Sequence, residues 1–296
     1  MRGWARIIVL GTNMFGLSLL ALQDESYLWW YSLGLGIGGM ATYAAMATPF
    51  DQWKFSYALP ASSIVLCLAA FPSRTGAAAL MGAYGFVNLT VLDSRAIGAI
   101  LLLVAALLWA RNRSRRRRKV LSSGKLMTAA MAAMVLLIGI YVATQALYGM
   151  RRHFSNAMRW ANAEAAVSSI EKSPIVGHGS WAVDPTMELA FRMAYYAMTG
   201  EKSDTRDPGD SANLPHSQIL SAWYEGGLLG LAFFLYFGCL LIRYTIYCAA
   251  TRPYNYLSTL YLFTTIHALW HLIMSPFGGG QRLAIAFAVS VLCRFR

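Results

Sequence analysis

Nine apolar runs, most of them near 20 residues, constrain the fold before any motif is considered. They cover about 4–22, 27–49, 58–72, 75–92, 95–110, 126–148, 219–248, 256–274 and 282–294. A helix of about 20 apolar residues spans a hydrocarbon core of about 30 Å. The runs lack the alternation of a strand, and backbone polar groups in lipid must pair within their own segment, so helices are expected. Only 13% of the 296 residues are charged, about half the share of a soluble domain. The expected fold class is an all-α polytopic membrane protein. It has about nine transmembrane segments and one large outer loop that carries short helices.

The net charge of +12 does not point to nucleic acid, because its densest part is RNRSRRRRK (Arg111 to Lys119), directly after an apolar run. Such a cluster anchors the cytoplasmic side of a membrane helix. Counting forward from it, 149–218 lies outside, Arg243 and Arg252 fall inside, and the terminal Arg294-Phe295-Arg296 lands inside. Counting backward, Ser94 and Arg95 are outside, Pro72 to Gly76 inside and Asp51 to Phe55 outside. Gln23, Asp24 and Glu25 are then inside, and Arg2 and Arg6 fall on the outer side, against the positive-inside rule. A re-entrant early segment, or a helix preceding the chain, would resolve that conflict. Three regions follow: 1–148, membrane helices with the basic cytoplasmic loop near 111–125; 149–218, the outer loop; 219–296, the C-terminal membrane helices.

Several patterns are read blandly. Cys67, Cys239, Cys248 and Cys293 all sit in apolar runs with no metal spacing and no disulfide framework. Gly34 to Gly39 matches G-x-G-x-x-G, but no strand precedes it. Gly34 and Gly38, four apart, suit close helix packing instead. Asn88-Leu89-Thr90 is a glycosylation sequon embedded in an apolar run and is discounted. His267 and His271 are one helical turn apart without a third ligand, so a polar contact inside the bundle is expected, not a metal. His153 and His178 are taken as ordinary loop residues.

The long polar stretch, Arg151 to Gly230, holds most of the reactive side chains. Residues 157–170 read as an amphipathic helix. Met158, Ala161, Ala165, Val167 and Ile170 can face lipid or core, and Arg159, Asn162 and Ser169 can face elsewhere. Pro174 ends it, and Gly177 and Gly179 give a tight turn. A second short helix is expected in DPTMELAFRMAYYAMTG (Asp184 to Gly200), followed by a turn-rich run to Pro215. Glu225 falls within the next apolar segment, where a carboxylate is costly and usually paired or functional.

An arginine (Arg159) stands fifteen positions before Pro174. P-I-V-G-x-G, a long outer loop and H-S-x-x-L-x-x-x-x-E-x-G-x-x-G follow, the last from His216 to Gly230. A Ser-Arg pair, Ser94-Arg95, opens the helix before the basic loop. Together these residues resemble the O-antigen ligase/polymerase superfamily over roughly 75–294. One departure is Ser217, where the family usually has Asn. Another is the small number of N-terminal helices, from which an N-terminally short chain is expected.

The resemblance implies an inverting glycan transferase in the bacterial inner membrane, multi-pass, with its active site facing the periplasm. The donor would be an undecaprenyl-diphosphate-linked glycan, and the acceptor a lipid A-core or a growing glycan. It implies His216 as the base and Arg159 as the principal catalytic arginine. Arg95, Arg192, Arg206 and Glu225 are the further substrate-binding candidates, with no metal, no cofactor and no nucleic acid. The residue types suit this chemistry. Arginine forks match the oxygens of a diphosphate leaving group, and a neutral histidine can take the acceptor proton. The alternative is a lipid-linked glycan transporter or flippase that forms no bond. Against it stand the absence of an evident internal repeat and the concentration of polar residues in one outer loop.

Overall fold

A computed structural model describes residues 2–49, 52–53, 56–92, 94–116, 149–179, 185–200, 215, 217–250, 255–274 and 281–293. Among them are ten helices and no strand. In chain order they are α1 (Arg2–Gln23), α2 (Ser26–Ala45), α3 (Ala58–Leu68), α4 (Arg74–Thr90), α5 (Arg95–Arg116), α6 (Gly149–Ile170), α7 (Pro185–Thr199), α8 (Gln218–Ala250), α9 (Ser258–Met274) and α10 (Gln281–Cys293). Eight of the nine apolar runs carry a helix, and the run at 126–148 lies outside the described residues. Not every run is a full span. The 11 residues of α3 make a rod of about 16 Å, half a hydrocarbon core. Among the described residues one helix, α8, is both long and apolar enough to cross a membrane.

The chain divides into two compact units. The first comprises 1–137, 241–268 and 280–296. Its helices run between two ends. At one end Trp53 Nε1 donates to Asn88 Oδ1 at 3.1 Å, Tyr57 donates to the Thr48 carbonyl at 2.9 Å, and the Ser94 amide donates to the Asn88 carbonyl at 2.8 Å. Asn88 is fully buried, which removes its sequon from any glycosylating enzyme. At the other end Trp29 Nε1 donates to the Cys67 carbonyl at 3.1 Å. Here Glu25 accepts from Asn255 Nδ2 at 3.1 Å and from the Tyr261 hydroxyl at 2.9 Å. Arg111 donates to the Cys248 carbonyl at the foot of α8. The α1–α2 turn, the α3–α4 turn, the start of the basic segment and the α8–α9 connection therefore share one end.

Small residues set the closest approaches in this unit. Gly85 on α4 and Gly98 on α5 face each other, and a Cβ on Gly98 would lie 2.8 Å from the Gly85 carbonyl oxygen. On α2 the contact glycines are Gly36 and Gly39, whose Cβ positions lie 2.7 Å from Ile64 and 2.6 Å from Pro60. Gly34 and Gly38, the expected pair, meet nothing within 4 Å. Small residues do permit the close approach, but at a spacing of three and not four, because a run of six residues with four glycines offers several stripes.

The second unit comprises 138–240 and 269–279. Its core joins Ala157, Ala161, Ala165, Ala166 and Ile170 of α6 to Met187, Phe191, Ala194 and Tyr195 of α7, with Tyr224 of α8. Alanines four apart form a flat strip that the bulkier α7 side chains cover. The expected placement of Asn162 and Ser169 on α6 needs correction. Asn162 and Ser169 are buried, while Met158 and Val167 are exposed. The helix also begins at Gly149, eight residues before the expected start at 157.

Candidate active site

The local geometry of this unit is governed by a break in α8. Gly227 sits at φ 59°, ψ −149° inside an otherwise helical segment, a conformation open essentially to glycine alone. Such a break releases backbone donors and acceptors from the helical ladder, and buried ones must find partners elsewhere. They find them in the loop after α6. The amides of His178 and Gly179 donate to the carbonyls of Tyr224 and Glu225 at 2.8 and 2.9 Å, and the Leu228 amide donates to the Ile175 carbonyl at 3.0 Å. Trp223 Nε1 donates to the Pro174 carbonyl at 3.0 Å.

The two backbones approach too closely for side chains. A Cβ on Gly227 would lie 2.0 Å from the Ile175 oxygen, and one on Gly177 (φ +79°) 2.5 Å from the Gly227 nitrogen. A Cβ on Gly230 would lie 2.2 Å from the Ala222 oxygen, whereas Gly226 meets nothing within 4 Å. P-I-V-G-x-G and E-x-G-x-x-G are thus two halves of one clasp. Motif glycines 177, 227 and 230 have no room for a side chain, Gly179 has room but sits at φ +85°, and Gly226, an x position of the motif, meets nothing within 4 Å.

His178, expected to be an ordinary loop residue, helps close the clasp. Its Nε2 lies 2.9 Å from the Ser169 carbonyl, which can only accept, so Nε2 carries the proton. Its ring stacks on Tyr224 at 4.9 Å. The end of α6 is thereby tied to the opening turns of α8. Glycine spacing alone carried no sign that this histidine would be structural.

Arg159 lies on an exposed part of α6, four turns before the clasp. Glu225 is half-buried in the last turn before the break. Arg192 is exposed on α7 and pairs with Glu188 one turn back, an arrangement of small energetic weight that leaves the guanidinium available. Arg206 and His216 lie outside the described residues. The two neighbours of His216 are fixed, however. The Pro215 carbonyl accepts from the Ser221 hydroxyl at 3.2 Å, and Ser217 caps α8, its Oγ accepting from the Leu220 amide at 3.4 Å and donating to the Leu272 carbonyl at 3.1 Å. Ser and Asn are near-equal N-cap residues, so the departure at Ser217 keeps the local physics. Arg95 opens α5 in the first unit, half-buried beside the buried Ser94. One further polar group escaped sequence reading. Asn162, one turn beyond Arg159, is 2% exposed with its amide oxygen unpaired among the described residues.

A family profile described as O-antigen ligase matches residues 80–235, just over half of the chain. The chain belongs to the O-antigen ligase family. Both halves of the clasp, Arg95, Arg159, Arg192, Arg206, His216 and Glu225 all lie inside the matched range. No curated protein and no solved structure matches the chain. Membership makes this O-antigen ligase homologue a bacterial inner-membrane protein and a glycosyltransferase-like enzyme of polysaccharide biosynthesis.

Proposed function

We propose that the protein transfers a glycan, with inversion, from an undecaprenyl-diphosphate carrier to an acceptor hydroxyl at the outer, periplasmic face of the inner membrane. The acceptor is a lipid A-core sugar, as in a ligase, or a growing glycan, as in a polymerase. The observation that carries this reading is the clasp. It ties the helix bearing Arg159 to the helix that opens just after His216, and it accounts for the motif glycines Gly177 and Gly227. In the reaction the C1–O bond to the diphosphate breaks as the acceptor oxygen attacks from the opposite face. Arg159 binds the phosphate oxygens, where negative charge grows, and Arg95 is the second phosphate-binding candidate by its Ser-Arg match to the family. His216 takes the acceptor proton. Arg192 or Arg206 adds a further cation, and Glu225 orients an arginine or a sugar hydroxyl. Fixed guanidinium groups supply the charge that a metal would otherwise bring. The chain crosses the membrane about nine times, with 149–218 as the periplasmic loop and 111–125 in the cytoplasm.

Reconstitution tests this. Purified protein in proteoliposomes receives an undecaprenyl-diphosphate glycan and a panel of acceptors, with a metal chelator present. Transfer with release of the lipid diphosphate is expected. His216→Ala and Arg159→Ala should each lower the rate by about 10²-fold or more while the protein accumulates normally. Full activity in either variant removes the role assigned to that residue. Glycan crossing the bilayer with no new glycosidic bond would make the protein a transporter.

A further inference from the structure

The loop between Ser173 and Gly179 ends in an apolar tip. Ile175 is 68% exposed and Val176 79%. Glu171 and Lys172 precede the tip, so charge gives way to apolar surface within four residues. The Leu228 amide donates to the Ile175 carbonyl, which fixes the tip at the level where the second part of α8 begins. Leu229 at that level is 82% exposed, and Phe233 and Tyr236 continue the bare apolar surface along the helix. The tip and this surface form one continuous apolar track within a single compact unit.

A loop can enter hydrocarbon only when its backbone polar groups are paired by protein. Here the flanks of the tip are paired, while the amides of Ile175 and Val176 and the Val176 carbonyl meet no protein partner among the described residues, which holds the tip's backbone at the hydrated headgroup boundary and leaves only its side chains to reach the acyl chains. Pro174 has no amide proton, and its carbonyl accepts from Trp223 Nε1. The Ile175 carbonyl accepts from Leu228, while the Gly177 amide donates to the Ser173 carbonyl and the Gly177 carbonyl accepts from the Ser173 hydroxyl. The amides of His178 and Gly179 donate into the break of α8. We infer that the side chains of Ile175 and Val176 are immersed in the outer acyl region of the bilayer, so that the loop is a membrane anchor held in place by the broken helix. The break in α8 then has a second use. It pairs the backbone on both flanks of the tip, so that the tip can rest at the headgroup boundary with its two apolar side chains directed into lipid. The inference rests on α8 being a membrane helix, and the test separates the two.

Single cysteines at 175, 176 and 229 are introduced after Cys67, Cys239, Cys248 and Cys293 are each replaced by alanine. The purified protein is spin-labelled and reconstituted in phosphatidylglycerol/phosphatidylethanolamine vesicles. Thermal melting against the parent checks folding for each variant. Relaxation by lipid-soluble oxygen is compared with relaxation by a water-soluble nickel chelate. The expected result is an oxygen-to-nickel ratio at 176 matching that at 229, with 175 alike. A label at 229 in lipid and one at 176 in water overturns the anchor and leaves the membrane reading of α8 intact. Labels at both positions in water overturn both. Spin–spin broadening at 176, with both relaxants excluded, would place a second copy of the chain there and also overturn the anchor.

Discussion

Two glycine pairs, one in each unit, show what the same residue does in two physical settings. Gly85 and Gly98 are helical throughout. Their missing side chains let α4 and α5 lie against each other, with a prospective Cβ 2.8 Å from a carbonyl oxygen. Gly177 and Gly227 also sit at a close approach, but both take positive φ, and the backbone around them is paired by hydrogen bonds from one chain segment to another. The first pair serves contact area. The second replaces part of a helix's own hydrogen-bond ladder. The first should therefore respond to volume alone, and the second to volume, backbone conformation and lost pairing together.

The largest effect is expected at Gly227. Alanine there adds a collision 2.0 Å from the Ile175 oxygen to a glycine-only conformation. Each of these costs about 1–3 kcal/mol, and the clasp bonds go with them. Gly227→Ala should lose several degrees of melting temperature in detergent and nearly all transferase activity. Gly226→Ala, one residue earlier and in open space, is the control and should be neutral or slightly stabilising through helix propensity. Equal behaviour of the two variants would sink the clasp.

Gly98→Ala comes next. Its Cβ would meet backbone of α4 at 2.8 and 2.9 Å, and overpacking of this kind costs about 1–3 kcal/mol. Replacing a helical glycine returns up to about 1 kcal/mol, so the net loss should be about 1–2 kcal/mol. Calorimetry should show a lowered melting temperature with activity per folded molecule retained. Loss of activity without loss of stability would mean that the α4–α5 contact is not merely packing.

These two tests also mark how much could be read in the sequence. Helix positions were legible because nearly every apolar run is bounded by turn residues or charge, and eight of the nine carry helices where expected. The inward face of α6 was not. Asn162 and Ser169 are buried while Met158 and Val167 are exposed, because the alanine strip Ala157, Ala161 and Ala165 selects the face that packs on α7, and side chains on or beside that strip are buried with it whatever their polarity. The glycine motifs were legible as turns and as a family resemblance. Their pairing with each other was not, because backbone bonds between residues 175–179 and 224–228 leave no side-chain pattern beyond the glycines themselves. The candidate site was legible by motif rather than by physics. Arg159, Arg192 and Glu225 have described places in one unit and Arg95 in the other, while Arg206 and His216 are known by sequence alone.

A smaller effect is expected at His178, the side chain that closes the clasp. His178→Phe keeps a ring against Tyr224 but removes the Nε2–H donor to the Ser169 carbonyl. His178→Ala removes both. One part-buried hydrogen bond contributes about 0.5–1.5 kcal/mol and an aromatic pair about as much again. Phenylalanine should therefore lose roughly half of what alanine loses, measured as shifts in the denaturation midpoint. A loss of all transfer in His178→Phe, with stability unchanged, would show that the imidazole takes part in the reaction itself.

The smallest effect separates local capping from family habit. Ser217 Oγ both accepts from the Leu220 amide and donates to the Leu272 carbonyl. Asparagine carries an acceptor and a donor on one short side chain, so Ser217→Asn should change stability by less than about 0.5 kcal/mol. Alanine has neither and should cost about 1 kcal/mol. Aspartate is as good a cap but has no donor and would set a negative charge against the Leu272 carbonyl. On capping alone it should match asparagine; on the two-bond geometry it should be worse than alanine. The order Asn, Ala, Asp in thermal stability therefore tests whether this position joins the mouth of α8 to α9 as well as starting a helix.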